Sequence, residues 1–153
     1  MTTPPLTGGC QCGAVRFAVA GEVGRGGICH CRMCQKATGG VFGAFVGPVQ
    51  GLAWTRGEPA WFQSSNKARR GFCAACGTPL IFEWDHEMSE IAIGAFDEPA
   101  AIRPDIQLAT ESRLPWFAEL AALPERAPQY APSRDRVVSN QHPDHDTRRW
   151  PAP

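Results

Sequence analysis

The sequence predicts a mainly β domain with little helix, its strands tied together by cysteine knuckles. Three observations support this. Short runs of β-favouring residues recur along the 153-residue chain, with glycine (16) and proline (14) scattered between them. Long stretches with a 3.6-residue apolar period are missing. Seven cysteines fall into tight groups: Cys10 and Cys12, then Cys29, Cys31 and Cys34, then Cys73 and Cys76. A chain of this length favours one domain with its own core.

The expected strands are AVRFAV (14–19), VFGAFV (41–46), LAWT (52–55), AWFQSS (60–65), PLIFEW (79–84) and EIAIGAF (90–96). VRF and IFEW alternate as half-buried strands do. Gly57-Glu58-Pro59 and Gly77-Thr78-Pro79 read as turns. Helix is scarce. CQKATGG, ending at Gly40, suits a turn or two closed by Gly39 or Gly40. Leu114–Leu123 carries Pro115 at a first-turn position and suits a short helix. Trp54, Trp61, Trp84 and Trp116 are expected to pack in the core, and Pro115-Trp116-Phe117 to dock the following segment onto the sheets. From Pro124 the composition turns to Pro, Arg, Asp, Ser and His. The expected organisation is a folded domain over 1–123 and a loosely wrapped or flexible tail over 124–153 in which His142 and His145 are solvated.

Lysine plus arginine (15) equals aspartate plus glutamate (15), and the isoelectric point is near 6.9. A neutral surface gives no general attraction to nucleic acid or to an anionic membrane. No run approaches the ~18 apolar residues of a membrane span. The opening MTTPPLTGG has no basic region followed by an apolar run. A cytoplasmic protein is expected, and a reducing compartment argues against a disulfide framework.

Cysteines spaced this closely chelate metal better than they pair with each other. Cys10-Gln-Cys12 and Cys29-His-Cys31 are C-x-C pairs, whose sulfurs share a face if the chain is extended. Cys31-Arg-Met-Cys34 and Cys73-Ala-Ala-Cys76 are C-x-x-C knuckles, and Gly77 suits the turn after the second. A redox role for Cys73 and Cys76 finds no βαβ pattern around it. The natural division is four plus three. Cys10, Cys12, Cys73 and Cys76 complete a four-thiolate structural zinc site, while Cys29, Cys31 and Cys34 form a local trio with a fourth position to fill. That position is open in a catalytic site, or closed by His30 or His86 in a second structural one.

GGCQCGAVRF (8–17), CHCRMCQKATGG (29–40), GFCAACGTPL (71–80) and ESRLPWF (111–117) together resemble the glutathione-dependent formaldehyde-activating enzyme family, which includes centromere protein V. All seven cysteines fall in that family's order. The resemblance implies a β-tent of folded antiparallel sheets and two zinc ions. It also implies a structural zinc on Cys10, Cys12, Cys73 and Cys76 and a catalytic zinc on Cys29, Cys31 and Cys34; an ion held by three cysteines would be the more labile of the two. The implied activity is that of a carbon–sulfur lyase joining formaldehyde to glutathione to give S-hydroxymethylglutathione.

The residues themselves point toward thiol chemistry. Three thiolates and one Zn²⁺ carry a net charge of about −1, which weakens the ion as a Lewis acid but suits one more soft sulfur ligand. An anionic thiol approaching that centre needs positive charge nearby. Arg32 and Lys36, four apart on a possible helix face, are the nearest candidates, with Arg69 and Arg70 before the other knuckle. The expected function is a zinc-dependent carbon–sulfur lyase acting on a thiol and a small aldehyde. The competing expectation is a zinc-stabilised binding module whose two sites are both structural.

Overall fold

The computed structural model describes residues 4–126 and 138–150. The remainder of the expected tail, 127–137 and 151–153, lies outside the described residues. The chain is mainly β. Its first sheet has three antiparallel strands in the order β1 (Leu6–Gly9), β2 (Arg16–Val19) and β5 (Leu52–Arg56). The second holds β3 (Val23–Cys29), β4 (Gly43–Val49), β6 (Ala60–Gln63), β7 (Ala68–Phe72), β8 (Pro79–Trp84), β9 (Met88–Ala92) and β10 (Pro104–Leu108). Their order across this sheet is β10-β3-β4-β9-β8-β7-β6, with β10 parallel to β3 and the other pairs antiparallel.

The two sheets fold over one core. Phe17 of β2 is fully buried and meets Trp54 and Phe96 edge-on, at ring-centroid separations of 6.0 and 5.2 Å. Leu80, Ile81 and Ile91 fill the larger sheet's side of that core. Gly8 of β1 pairs with Phe96, and a Cβ there would stand 2.3 Å from the Ala95 carbonyl oxygen. Only glycine permits this approach of β1 to the turn that follows β9. Beside it, Arg16 (3% exposed) forms a two-pronged ion pair with Asp97 at 2.7 and 2.6 Å.

All six expected strands form, the last shortened to β9 and followed by a 3₁₀ turn, Ile93–Ala95. Four further strands appear. β1, β3 and β7 carry glycine or paired arginines where propensity favours neither, and β10 opens on Pro104 at a sheet edge, where the missing N–H costs nothing. The helix α1 spans Arg32–Thr38, closed by Gly39 in the left-handed region at φ 67°. Leu114–Leu123 yields a short helix of the 3₁₀ type, Phe117–Ala122, in which no residue is fully buried. Trp54 packs as expected, whereas Trp61, Trp84 and Trp116 are exposed and lie outside the core. Phe117, not Trp116, docks its segment, meeting the rings of His30 and Phe42 edge-on.

His142 is also not solvated. It is 3% exposed, donates its backbone N–H to the Gln11 carbonyl at 2.7 Å, and places Nε2 3.0 Å from Thr147 Oγ1. Its ring occupies the space left by Gly13, where a Cβ would stand 2.3 Å away. His145 is exposed.

Candidate metal centre and adjoining cavities

The fold gathers the cysteines into two sets. Ligand atoms of Cys10, Cys12, Cys73 and Cys76 all lie within 4.8 Å of one another, and so do those of Cys29, Cys31 and Cys34. No cysteine is in a disulfide. Each set could hold a metal ion.

In the four-cysteine set the first pair does not ride on a strand. Cys10 and Cys12 sit in the turn after β1, where Gly13, at φ 78°, donates to the Cys10 carbonyl at 3.0 Å. Cys73 and Cys76 occupy the turn between β7 and β8, and Gly77, at φ 77°, donates to the Cys73 carbonyl at 2.8 Å. The glycine after this knuckle therefore meets the conformational need that the sequence suggests. Sulfur separations are 3.6 Å for Cys10–Cys12 and 3.8 Å for Cys12–Cys73. Tetrahedral zinc with Zn–S bonds near 2.3 Å sets sulfurs about 3.8 Å apart, so the set fits that ion. Burial pushes the Cys10 thiol up to about 12, so it needs a cation to ionise at neutral pH. Burial also acts to raise Cys76, but hydrogen bonds from Thr78 and the backbone outweigh it and hold that thiol at about 6.

The trio is built from one short segment. Cys29 ends β3. Cys31 is the N-cap of α1, its sulfur accepting from the Cys34 N–H at 3.3 Å, and Cys34 lies within the helix. Burial opposes ionisation at Cys31, yet that N–H and neighbouring hydrogen bonds prevail and lower its pKa. Burial lifts Cys34 up to about 12 against the pull of Arg70, whose Nη2 donates to the Cys34 sulfur at 3.3 Å.

Neither histidine considered as a fourth ligand joins the trio. His30 is fully buried, with Nε2 2.9 Å from Gln107 Oε1 and its ring against Phe42 and Phe117. His86 is exposed at the β8–β9 hairpin tip, near Glu83. Among the described residues the second set therefore comprises three cysteines alone.

The candidate cations separate by direction. Arg32 is exposed and bonds to Gln35 on its own helix, while Lys36 is exposed in the last turn of α1. Arg69 stacks over Trp61 and pairs with Glu83 at 2.5 Å. Among the described residues Arg70 alone of the four bonds to a trio sulfur, and it also donates through Nε to Ser64 Oγ at 3.1 Å. Gln35, which sequence reasoning missed, is buried and donates to the carbonyls of His30 and Ser112, fastening the loop between the cysteines.

Two cavities have Phe45 in their linings. One, of about 350 Å³, lies between α1 and the β6–β8 region and is lined by Ala37, Phe62, Arg70 and Pro79 among mostly apolar neighbours. The other, of about 140 Å³, is lined by Cys29, Arg25, Glu90, Ile106 and Leu108. Their linings together include a trio cysteine, the buried Arg70 and the carboxyl group of Glu90.

Residues 5–112 match the family described as glutathione-dependent formaldehyde-activating enzyme. The chain belongs to this family. Among curated proteins it is similar to an uncharacterized lyase of Schizosaccharomyces pombe, 28% identical over 93 residues that cover 61% of this chain and 68% of the relative. Among solved structures it resembles a Rhodobacter sphaeroides protein at a TM-score of 0.53 and 19% identity, covering 68% of this chain and all of the other. That last likeness concerns the fold. The family match spans both cysteine sets and stops short of the segment that carries His142.

Proposed function

We propose that the protein is a zinc-dependent carbon–sulfur lyase acting on the adduct of a thiol with a small aldehyde, with glutathione and formaldehyde as the reference pair. The observation that carries this reading is the trio: three sulfurs gathered between one strand and one helix, without a fourth ligand group among the described residues, beside a cavity that Cys29 itself lines. Cys29, Cys31 and Cys34 would hold the catalytic zinc, and Cys10, Cys12, Cys73 and Cys76 the structural one. Bound at the trio, zinc supplies a soft Lewis-acid centre that accepts one further ligand, a role suited to a substrate sulfur.

The chain's own groups do the rest. Arg70 tempers the negative charge of the sulfurs through Cys34, and its Nη1 makes no hydrogen bond among the described residues. That leaves a buried cation for a carboxylate of the entering thiol. Phe45 and Phe62 give the larger cavity apolar walls. The Cys34 N–H orients Cys31, so the helix start and the metal site are organised together.

The test is metal content followed by zinc-edge absorption with and without glutathione, alongside NMR detection of S-hydroxymethylglutathione. The reading expects about two zincs per chain, one gaining a sulfur neighbour on addition of thiol, and turnover that Cys31→Ser abolishes without unfolding the protein. Two zincs that ignore the thiol, with no turnover, would favour the binding-module reading in its place.

A further inference from the structure

Addition of a thiol to an aldehyde moves one proton, from sulfur to oxygen. A group beside the reacting atoms that can accept and then return that proton spares the reaction a charged intermediate. The ionisable groups lining the two cavities at Phe45 are few: Cys29 and Arg25 on β3, Arg70 on β7 and Glu90 on β9. Cys29 is committed to the metal on the reading above. Arginine does not release its proton in this range, and Arg25 is already paired with Asp105 at 2.6 Å. Glu90 remains.

Its placement fits the task. Glu90 is half-buried, lines the same cavity as Cys29, and makes no hydrogen bond or ion pair among the described residues. The sheet makes room for it: a Cβ on Gly47 would stand 2.6 Å from Glu90 Cγ. On the adjacent strand β8 it is paired with Phe82, which carries no charge. Arg25 lines the same cavity and Arg70 lies over the Phe82 ring, yet Glu90 bonds to neither, so no structural partner accounts for a half-buried carboxyl group here.

We propose that Glu90 is the proton carrier of the lyase reaction, taking the proton from the thiol sulfur and delivering it to the aldehyde oxygen. This rests on the lyase reading. The S–H bond breaks, with its electron pair left on sulfur and its proton on the Glu90 carboxylate. That pair then forms the C–S bond. The carbonyl π pair moves to oxygen, which takes the proton back from Glu90, and the carboxylate is regenerated. The reverse sequence releases the aldehyde. Burial raises the Glu90 pKa against the charge of Arg70, a direction that makes the carboxylate a better base and the carboxyl more persistent near neutral pH.

The experiment compares zinc-loaded wild type with Glu90→Gln, which keeps the shape and loses the proton site. Titration with glutathione alone, in two buffers of different ionisation enthalpy, reports protons released per thiol bound. Wild type should retain the thiol's proton, and Glu90→Gln should release about one more proton to the buffer. Turnover with formaldehyde should fall roughly 10²- to 10⁴-fold in kcat with KM little changed, and the acidic limb of the pH profile should disappear. Equal zinc content and melting temperature in the two proteins separate this from misfolding. Wild-type turnover matched by Glu90→Gln, with equal proton release, overturns the assignment and leaves the lyase reading standing. Altered proton release without turnover in either protein overturns the formaldehyde assignment and upholds Glu90. Wild type that neither binds the thiol nor turns over overturns both.

Discussion

Replacing Asp97 by alanine should destabilise the fold more than any other single change at the junction of the sheets. Arg16 and Asp97 are 3% and 9% exposed. Asp97 accepts from Arg16 Nη1 at 2.7 Å, from Nη2 at 2.6 Å and from Thr7 Oγ1 at 2.6 Å, while its backbone N–H donates to the Thr7 carbonyl at 2.9 Å. Removing the carboxylate leaves a buried guanidinium with only Asp146, itself 53% exposed. Breaking a buried pair in this way costs about 3–5 kcal/mol, and the surviving contact with Asp146 argues for the lower end, about 3 kcal/mol. In a chain of this size that corresponds to a melting temperature lower by about 6–12 °C. The assay is thermal unfolding by circular dichroism at saturating zinc, comparing wild type, Asp97→Ala and the double variant Arg16→Met/Asp97→Leu. Apolar replacement of both partners removes the stranded charge, so the double variant should recover much of the loss. An Asp97→Ala protein melting within about 2 °C of wild type would refute the reasoning.

The same pair sets a pH dependence. Burial alone would raise the Asp97 carboxyl, but hydrogen bonds and charge from Arg16, with the Thr7 hydroxyl, overcome it and hold the pKa below its usual value. A depressed folded-state pKa means that the contribution is complete above the unfolded value, about 3.9. It is lost as the pH falls through the folded one. The stability gap between wild type and Asp97→Asn should therefore narrow in acid below about pH 4, read as converging urea midpoints.

Other outcomes test the remaining assignments. Gly13→Ala forces a side chain onto a residue at φ 78° and to within 2.3 Å of the His142 ring; it should cost about 1–3 kcal/mol and shift the His142 ring-proton resonances. Cys76→Ser removes one sulfur from the four-cysteine set and should leave about one zinc per chain, with loss of cooperative melting. Arg70→Met should raise KM for glutathione roughly 10- to 100-fold, the worth of a charge-assisted hydrogen bond, while sparing a neutral thiol such as 2-mercaptoethanol.

The cysteine sets were legible in the sequence because chelation by C-x-C and C-x-x-C is a local property of spacing. The division into four and three also follows from counting. What the sequence hid was set by long-range packing. Val23–Cys29, written VGRGGIC, reads as a loop by propensity, yet a Cβ on Gly24 would meet the Gly47 carbonyl oxygen at 2.2 Å and one on Gly26 the Arg103 carbonyl oxygen at 3.0 Å. Its glycines are there because neighbouring backbones crowd it, a reason no single-strand pattern carries. Arg70 and Arg69 are adjacent and chemically alike, and only the alternation of β7 sends one to the Cys34 sulfur and the other to Glu83. His142 lies in a polar segment without apolar period, so nothing local signals that Gln11 and Gly13 receive it.

The contrast between the two sulfur sets has an energetic side that bears on the proposed division of labour. Cys12 and Cys73 are 61 positions apart, so an ion joining them closes a long loop, and a cross-link of that span removes about 4 kcal/mol of chain entropy from the unfolded state. Cys29, Cys31 and Cys34 are near neighbours, so an ion among them closes almost nothing. Their positions are already held by the end of β3, the N-cap of α1 and the two carbonyl contacts of Gln35. A set whose geometry survives without its ion can exchange a ligand during turnover without loosening the fold. A set whose ion holds distant turns together cannot. On the proposed reading the chain would separate a metal that stabilises it from a metal that works, through the spacing of its cysteines and the contacts that hold the trio in place.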